Sequence, residues 1–448
     1  MKICILCLDT FGDLVLREPL FRTLINAGHE VAVVVRTRYL EILPYINPSL
    51  IPISTSLEPY ADVINEAEMA ATLIDLISRI RAWRTEAIVL PLYNRSSIDE
   101  LVVSHFSDIT RVGFSSGVNQ GRSLEAVDKL LNWTRLSMAD GLFSVGIAVD
   151  ELSHELEKYA RLLSEWLGLK IDDNRPKLTL YPDTKTVSAH SQLAPKTYAV
   201  SCPSGTMNVS LKAMPLETVV AIARRLFEKQ GLITVFTGIE LERDYLGKIA
   251  AELAEYGVPA QIWIGQQHQI QKLLSLIANS QLYFGADTGP MHFAAALDIP
   301  VLAIFGGGTF PRFNPVAKTG FIATQALGCF GCGWVCFRES AACIDFVRLP
   351  DVLAGLERLL DGKIVGVEVH AGRLSKSEGQ RQVNLLCQQE RLQERSDFRT
   401  EIAERCTDIR KLEFQLNEVR TSPLYLKMLK IRKSLLFRLL DKCGFIKR

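Results

Sequence analysis

Short apolar segments alternate with amphipathic ones along most of this 448-residue chain, and the alternation runs through twice. Lys2 to Leu8, Val31 to Val35, Ala87 to Leu92 and Arg111 to Phe114 read as buried strands, with helical stretches such as Met69 to Trp83 between them. A polar, proline-containing passage from Asp172 to Lys196 interrupts the rhythm. It restarts with strands at Thr197 to Cys202, Leu232 to Thr237, Gln261 to Gly265, Gln281 to Gly285 and Val301 to Phe305. Strands joined by helical crossovers run parallel, so the expected class is α/β, with two Rossmann-like domains. Ligands of such sheets bind outside the carboxyl ends of the strands, and two domains of this kind would face each other across a cleft. We expect an N-terminal half over residues 1–170, a second half over 171–370 and a helical extension over 371–448.

Composition narrows the class further. With 48% hydrophobic and 23% charged residues the chain has enough apolar mass for two cores and an ordinary polar surface. No apolar run reaches the roughly 20 residues of a membrane span, so a cytoplasmic location is expected. Ten cysteines are too sparse for a disulfide scaffold, and a net charge of +1 gives no general affinity for nucleic acid. The charge is uneven, however. Ser422 to Arg448 holds eight Lys/Arg against one Asp, interleaved with Leu, Met and Ile, as in a basic amphipathic helix on an anionic membrane surface. A helix packed on the globular body, with its basic residues solvated, is the competing reading.

The run Gly285-Ala286-Asp287-Thr288-Gly289-Pro290-Met291-His292 ends a strand and opens an alanine-rich helix. Such a turn presents unpaired backbone N–H groups and the positive end of the helix dipole to an anion. Pro290 suits the first helical turn, Gly289 admits a ligand to the backbone, and Thr288 and His292 add side-chain donors. A second constellation, Asp9-Thr10-Phe11-Gly12-Asp13, follows the first strand. One glycine and two carboxylates are wrong for a dinucleotide fingerprint. Asp13 reads equally as a general base facing the cleft or as a carboxylate favoured at a helix N-terminus. A third cluster, Ser204 to Pro215, sets small residues including Thr206 before Lys212, which could neutralise a departing diphosphate. Gly238 closes the next strand, and Glu240 and Glu242 after it offer acceptors for ribose hydroxyls.

Cys329, Cys332, Cys336 and Cys343 are spaced C-x2-C-x3-C-x6-C, close enough for a structural zinc. The irregular series contains no histidine, and reduced thiols or a labile disulfide fit it as well. Cys4, Cys7 and Cys202 fall on strands and read as small core residues.

Together, Gly12-Asp13 with Pro19, Arg111-Val112-Gly113-Phe114, the helix opening at His154-Glu155-Leu156-Glu157, Thr237-Gly238 and above all Asp287-Thr288-Gly289-Pro290-Met291-His292 resemble glycosyltransferase family 9. Its best-known members are the ADP-heptose:lipopolysaccharide heptosyltransferases. The resemblance implies the GT-B architecture, with the acceptor on the N-terminal domain and the nucleotide sugar on the C-terminal one. It makes Asp13 the base, Lys212 the diphosphate contact, Thr206, Asp287, Thr288, Gly289 and His292 the donor loop, and Gly238 with Glu240 or Glu242 the ribose contact. No cofactor is required by such an enzyme. The implied partners are a nucleotide sugar, with an ADP-sugar favoured, and a glycan or glycolipid acceptor. Two departures stand out: the lysine lies farther from its glycine turn than in the family pattern, and the usual Gly-Pro-Thr turn is replaced by Gly306-Gly307-Gly308-Thr309. A nucleotide-sugar epimerase sharing the donor pocket, or a non-catalytic glycan-binding or scaffold protein, are the alternative readings.

Overall fold

The computed structural model describes residues 1–59, 66–116, 142–150, 152–181, 193–205, 209–266, 268–327, 330–331, 334 and 341–372. The expected extension over 371–448, Thr206 and the cysteines Cys329, Cys332 and Cys336 lie outside them, apart from the two residues 371 and 372.

Six strands form the first sheet: β1 (Lys2–Cys7), β2 (Glu30–Arg36), β3 (Ile51–Thr55), β4 (Ala87–Leu90), β5 (Thr110–Ser116) and β6 (Val145–Val149). Seven form the second: β7 (Tyr198–Cys202), β8 (Ile233–Gly238), β9 (Ala260–Ile264), β10 (Leu282–Ala286), β11 (Val301–Ile304), β12 (Thr319–Gln325) and β13 (Gly366–Gly372). All strand pairs are parallel. The first sheet runs β3-β2-β1-β4-β5-β6 and the second, read from its other edge, β9-β8-β7-β10-β11-β12-β13. Both therefore reverse direction once, between β1 and β4 and between β7 and β10, which is the switch-point topology of a doubly wound Rossmann sheet. The two α/β halves expected from the alternation are present.

Central strands are apolar along their whole length because helices cover both faces of the sheet. Every residue of β4, β7 and β10 is buried, as is β1 apart from Lys2. The structure adds β3, β6, β12 and β13 to the strands expected from the sequence. β3 contains Pro52, tolerated on an edge strand whose outer N–H positions need no partner. β13, also at an edge, alternates half-buried and exposed residues and carries Glu368 and His370.

Helices take their faces from the usual three-to-four spacing. Leu216–Gln230 buries Val219, Val220, Ile222, Ala223 and Leu226 and stops at Gly231, whose φ of 67° is left-handed and suits glycine. The helix Glu155–Leu167 belongs to the first half by packing on β5 and β6, yet its N-terminus is bound to the second. Glu155 N donates to Arg312 O (3.0 Å), and Glu155 Oε1 accepts from Arg312 Nε (2.9 Å) and Lys158 Nζ (2.6 Å). His154 Nδ1 accepts from Leu156 N (3.1 Å), which puts the ring proton on Nε2, donating to Asn314 O (2.9 Å). The Arg312 and Lys158 cations also lie over the Tyr93 ring, at 5.7 and 5.0 Å. Burial pushes the Glu155 carboxyl up, but Arg312 and Lys158 together hold it below the usual carboxylate range.

Removing that carboxylate leaves Lys158 and Arg312 facing a neutral amide in a dry interior. Glu155→Gln should therefore cost about 3–5 kcal/mol in urea unfolding, the range for breaking a buried ion pair by deleting one partner. A loss under about 1 kcal/mol would show that water reaches the site.

Candidate functional site

The chain leaves β1 through a turn closed by charge. The Asp9 carboxylate grips the Arg17 guanidinium, with Nη1 at 2.7 Å from Oδ1 and Nη2 on the second oxygen, both groups buried. Arg36 Nη2, at the end of β2, donates to Asp9 O (2.6 Å), and the Arg17 guanidinium lies 5.8 Å from the Tyr159 ring. Between Asp9 and Arg17 runs the short helix Phe11–Leu16, with Thr10 at its N-cap. Asp13 stands at its third position, where Oδ2 accepts from Thr10 N (3.0 Å) and Thr10 Oγ1 (2.7 Å). Both bonds fall on one oxygen; among the described residues none is made to Oδ1. Asp13 is thus a helix-start carboxylate with its second oxygen unoccupied by the chain, so the two sequence readings of it are compatible.

The opposite wall comes from the carboxyl ends of β7, β10 and β11. Helix Gly289–Ala296 begins with Thr288 as its extended N-cap and Pro290 in its first turn, as the sequence indicates. Thr288 Oγ1 lies 3.3 Å from Tyr283 Oη, and its methyl packs on Gly205, where a Cβ would come within 3.2 Å. Lys212, in a short 3-10 turn over Ser210–Lys212, reaches across to Asp287: Nζ to Oδ2 is 2.8 Å, with side-chain exposures of 11% and 7%. Thr309 Oγ1 sits 3.5 Å from the same Oδ2. Lys212 and Asp287 are therefore a single paired unit at the switch point of the second sheet.

The two walls meet at glycines. A Cβ on Gly12 would lie 2.9 Å from His292 Cδ2 and 3.4 Å from the Gly289 Cα. One on Gly289 would lie 3.5 Å from Phe11 Cβ and 3.6 Å from Gly12 N. The bare Gly12 lets two helix N-termini, one from each half, abut at the carboxyl ends of both sheets, while Gly289 has room for a methyl in ordinary contact. His292 is enclosed here at 5% exposure, and its Nδ1 has no hydrogen-bond partner among the described residues. Burial pulls its pKa down to about 4, despite the opposing pull of Asp287 and Asp13. The imidazole is neutral at physiological pH, able to donate or accept one proton-sharing bond but carrying no charge.

Of the remaining expected site residues, Gly238 and Glu242 lie together, since a Cβ on Gly238 would come within 2.7 Å of Glu242 Oε2. Glu242 is buried and accepts from Ile239 N (3.0 Å). Glu240 is turned to solvent and forked onto Arg243 at 2.6 and 2.9 Å. Thr206 falls outside the described residues. Cys343, the described member of the cysteine series, is buried and accepts at Sγ from Gly307 N (3.1 Å). Among the described residues no cluster of three metal-ligating side chains occurs, with the other three cysteines outside them. Cys4, Cys7 and Cys202 are buried free thiols, as expected of core residues.

Sequence reasoning missed the aromatic pair Phe330 and Trp334. A Cβ on Gly306 or Gly308 would come within 2.4 Å of the Trp334 ring, and one on Gly307 within 2.2 Å of Phe330. The triple glycine is a bed for these two rings. Its signal in the sequence was three bare residues in place of the expected Gly-Pro-Thr; the aromatics that use them come only after β12.

Residues 138–332 match the family model of glycosyltransferase family 9 (heptosyltransferase). The match, over less than half of the chain, agrees with the enzyme class expected from the motifs. Solved structures with the same fold include the E. coli ADP-heptose lps heptosyltransferase II, with a TM-score of 0.60 at 17% identity over 81% of this chain and 99% of that one. A glycosyl transferase family 9 structure from Veillonella parvula gives 0.62 at 14%, over 81% and 97%. E. coli heptosyltransferase WaaC with ADP gives 0.54 at 15%, over 80% and 99%. At these identities the likeness establishes the fold, the GT-B architecture of two facing Rossmann-like domains. No curated protein matches the chain.

The buried histidine has a pH signature. Its folded pKa of about 4 lies below the ordinary 6.5, so between these values the unfolded chain binds more protons and stability rises with pH. That contribution is complete above about pH 6.5 and lost below about pH 4; at about 1.4 kcal/mol per pH unit it totals about 3 kcal/mol. His292→Gln should flatten the unfolding free energy across this window relative to wild type. Parallel pH profiles for the two proteins would mean that the ring is solvated.

Proposed function

We propose that this chain is an inverting glycosyltransferase that moves a sugar, with heptose from ADP-heptose as the expected donor, onto a lipopolysaccharide or other cell-envelope glycan. The single observation that carries the reading is the meeting of two switch points: Asp13 after β1 and the Lys212–Asp287 pair after β7 and β10, with His292 between them. The half ending near residue 170 takes the acceptor, and residues 171–370 take the nucleotide sugar. ADP and ADP-heptose named with the similar heptosyltransferases support the donor class.

Asp13 accepts the proton of the acceptor hydroxyl, using the oxygen that Thr10 leaves unoccupied. The freed oxygen attacks the anomeric carbon from the face opposite the diphosphate, and the carbon–oxygen bond to phosphate breaks with its electron pair leaving on the nucleotide. Lys212, the Thr288 hydroxyl and the N-terminus of helix Gly289–Ala296 hold the growing charge. Neutral His292 contributes a hydrogen bond without adding a second cation. Gly238 and Glu242, at the end of β8, would meet the ribose, since Glu240 is turned to solvent and paired with Arg243. The basic segment 422–448 would keep the enzyme at the inner face of the membrane, where a lipid-linked acceptor lies. Among the described residues no helix is long and apolar enough to cross a membrane.

Incubation with ADP-heptose and other nucleotide sugars, with and without a lipopolysaccharide-core acceptor, tests the reading. Acceptor-dependent release of ADP is expected; conversion of the nucleotide sugar without acceptor would mark an epimerase, and neither reaction would leave a binding protein. Asp13→Asn should keep nucleotide binding while lowering turnover by roughly two to four orders of magnitude, the range for a lost general base. Turnover within a few-fold of wild type would remove Asp13 from the chemistry. For the tail, liposome binding should need anionic lipid, weaken with salt and vanish when residues 422–448 are deleted. Equal binding to neutral liposomes would refute it.

A further inference from the structure

Lys212 has a second neighbour besides Asp287. Its Nζ lies 5.0 Å from the centroid of the Trp334 ring, within the distance at which an ammonium is held by the negative face of an indole. The ring itself lies against Gly306 and Gly308, where an added Cβ would collide with it at 2.4 Å. The bed and the ring are a matched set, the bed in the turn after β11 and the ring in the chain that follows β12. Trp334 adopts φ of 67°, left-handed and costly for a bulky residue, so the backbone bears a strain to present this ring.

We infer that Trp334 is a donor-positioning residue that acts through Lys212, holding its ammonium against the ring face at the place where a nucleoside diphosphate arrives. The inference rests on the donor site proposed above. A lysine stem is flexible, with its charge at the end of four rotatable carbons. Asp287 alone would fix that charge by an ion pair, which an arriving diphosphate competes with. The indole attracts the ammonium without offering an anion, so it keeps hold of Lys212 while the carboxylate is exchanged for phosphate oxygens. Lys212 then meets the diphosphate already ordered, and the entropy of ordering it is not charged against binding.

The test is a double-mutant cycle read by ADP titration calorimetry with the full chain. Trp334→Leu should weaken ADP binding about 3- to 30-fold, the range for loss of a partly desolvated cation–π contact, and Trp334→Phe should recover part of it. In a Lys212→Met background Trp334→Leu should change ADP affinity by less than about 2-fold, because the contact it removes is already gone. A merely structural ring would instead give the same loss in both backgrounds, which overturns the inference and leaves the donor site standing. Should Trp334→Leu fail to fold, tryptophan fluorescence decides. ADP should alter the emission of wild type, and Trp334→Phe, while still binding ADP, should show a smaller change, because Trp263 near Gly238 also responds. An ADP response as large in Trp334→Phe as in wild type refutes the inference. ADP that binds wild type at no accessible concentration overturns the donor reading itself.

Discussion

The geometry of the site depends on one buried ion triad, Glu155 with Lys158 and Arg312. Its carboxylate belongs to a helix packed on the first sheet, and Arg312 belongs to the loop that follows β11 of the second. Arg312 N donates to Thr309 O, and the Thr309 hydroxyl approaches Asp287. A contact at the back of the cleft thus reaches the residue that pairs with Lys212 through three bonds. Such triads contribute little net stability when weighed against an apolar substitute. Their value here is directional: charge fixes which helix end meets which loop, where apolar packing would allow sliding.

Glycine completes what the triad begins. Two halves held together by charge could still keep their helix N-termini apart, and a Cβ at Gly12, 2.9 Å from the His292 ring, would press against the other half. With none present, the positive ends of two helices converge on one spot, which would be repulsive if both were bare. Asp13 answers one end by sitting at the third position of the helix Phe11–Leu16. The other end is where we propose the diphosphate binds. Desolvated between them, His292 takes the uncharged form.

How much of this was legible in the sequence follows from how local each cause is. β1, β4, β7 and β10 are apolar runs interrupted only at Lys2 and Ser201 and were readable, since burial on both faces favours that composition. Pro52 in β3, Gly146 in β6, and Glu368 and His370 in β13 break that pattern on edge strands, whose pairing is imposed by a neighbour. β12 was hidden for a different reason: Thr324 and Gln325 are polar yet nearly fully buried, so the run looks too polar for a core strand. The turns carrying Asp13, Asp287 and His292 were legible because a turn and the helix it opens are neighbours in sequence. Glu155 and Arg312 were not, being 157 residues apart. His154 to Glu157 could be read as a helix start, but nothing local says that the far end of its charge lies in another half.

Asp287 illustrates how geometry redefines a residue that the sequence had located. A carboxylate in the mouth of an anion site is a contradiction if it is meant to touch the anion, because like charges in a dry pocket repel. The contradiction disappears once Lys212 Nζ lies 2.8 Å away. In the empty site the carboxylate balances a half-buried lysine that would otherwise bear the cost of desolvation unaided. When a diphosphate brings its own negative charge, that balance is no longer needed and the lysine exchanges the carboxylate for phosphate oxygens. On this account Asp287 acts on the donor through Lys212, and Thr309 and Arg312 act through Asp287. If the donor binds as proposed, diphosphate recognition is then a property of the whole chain of contacts back to Glu155, and the first half takes part in building the site of the second.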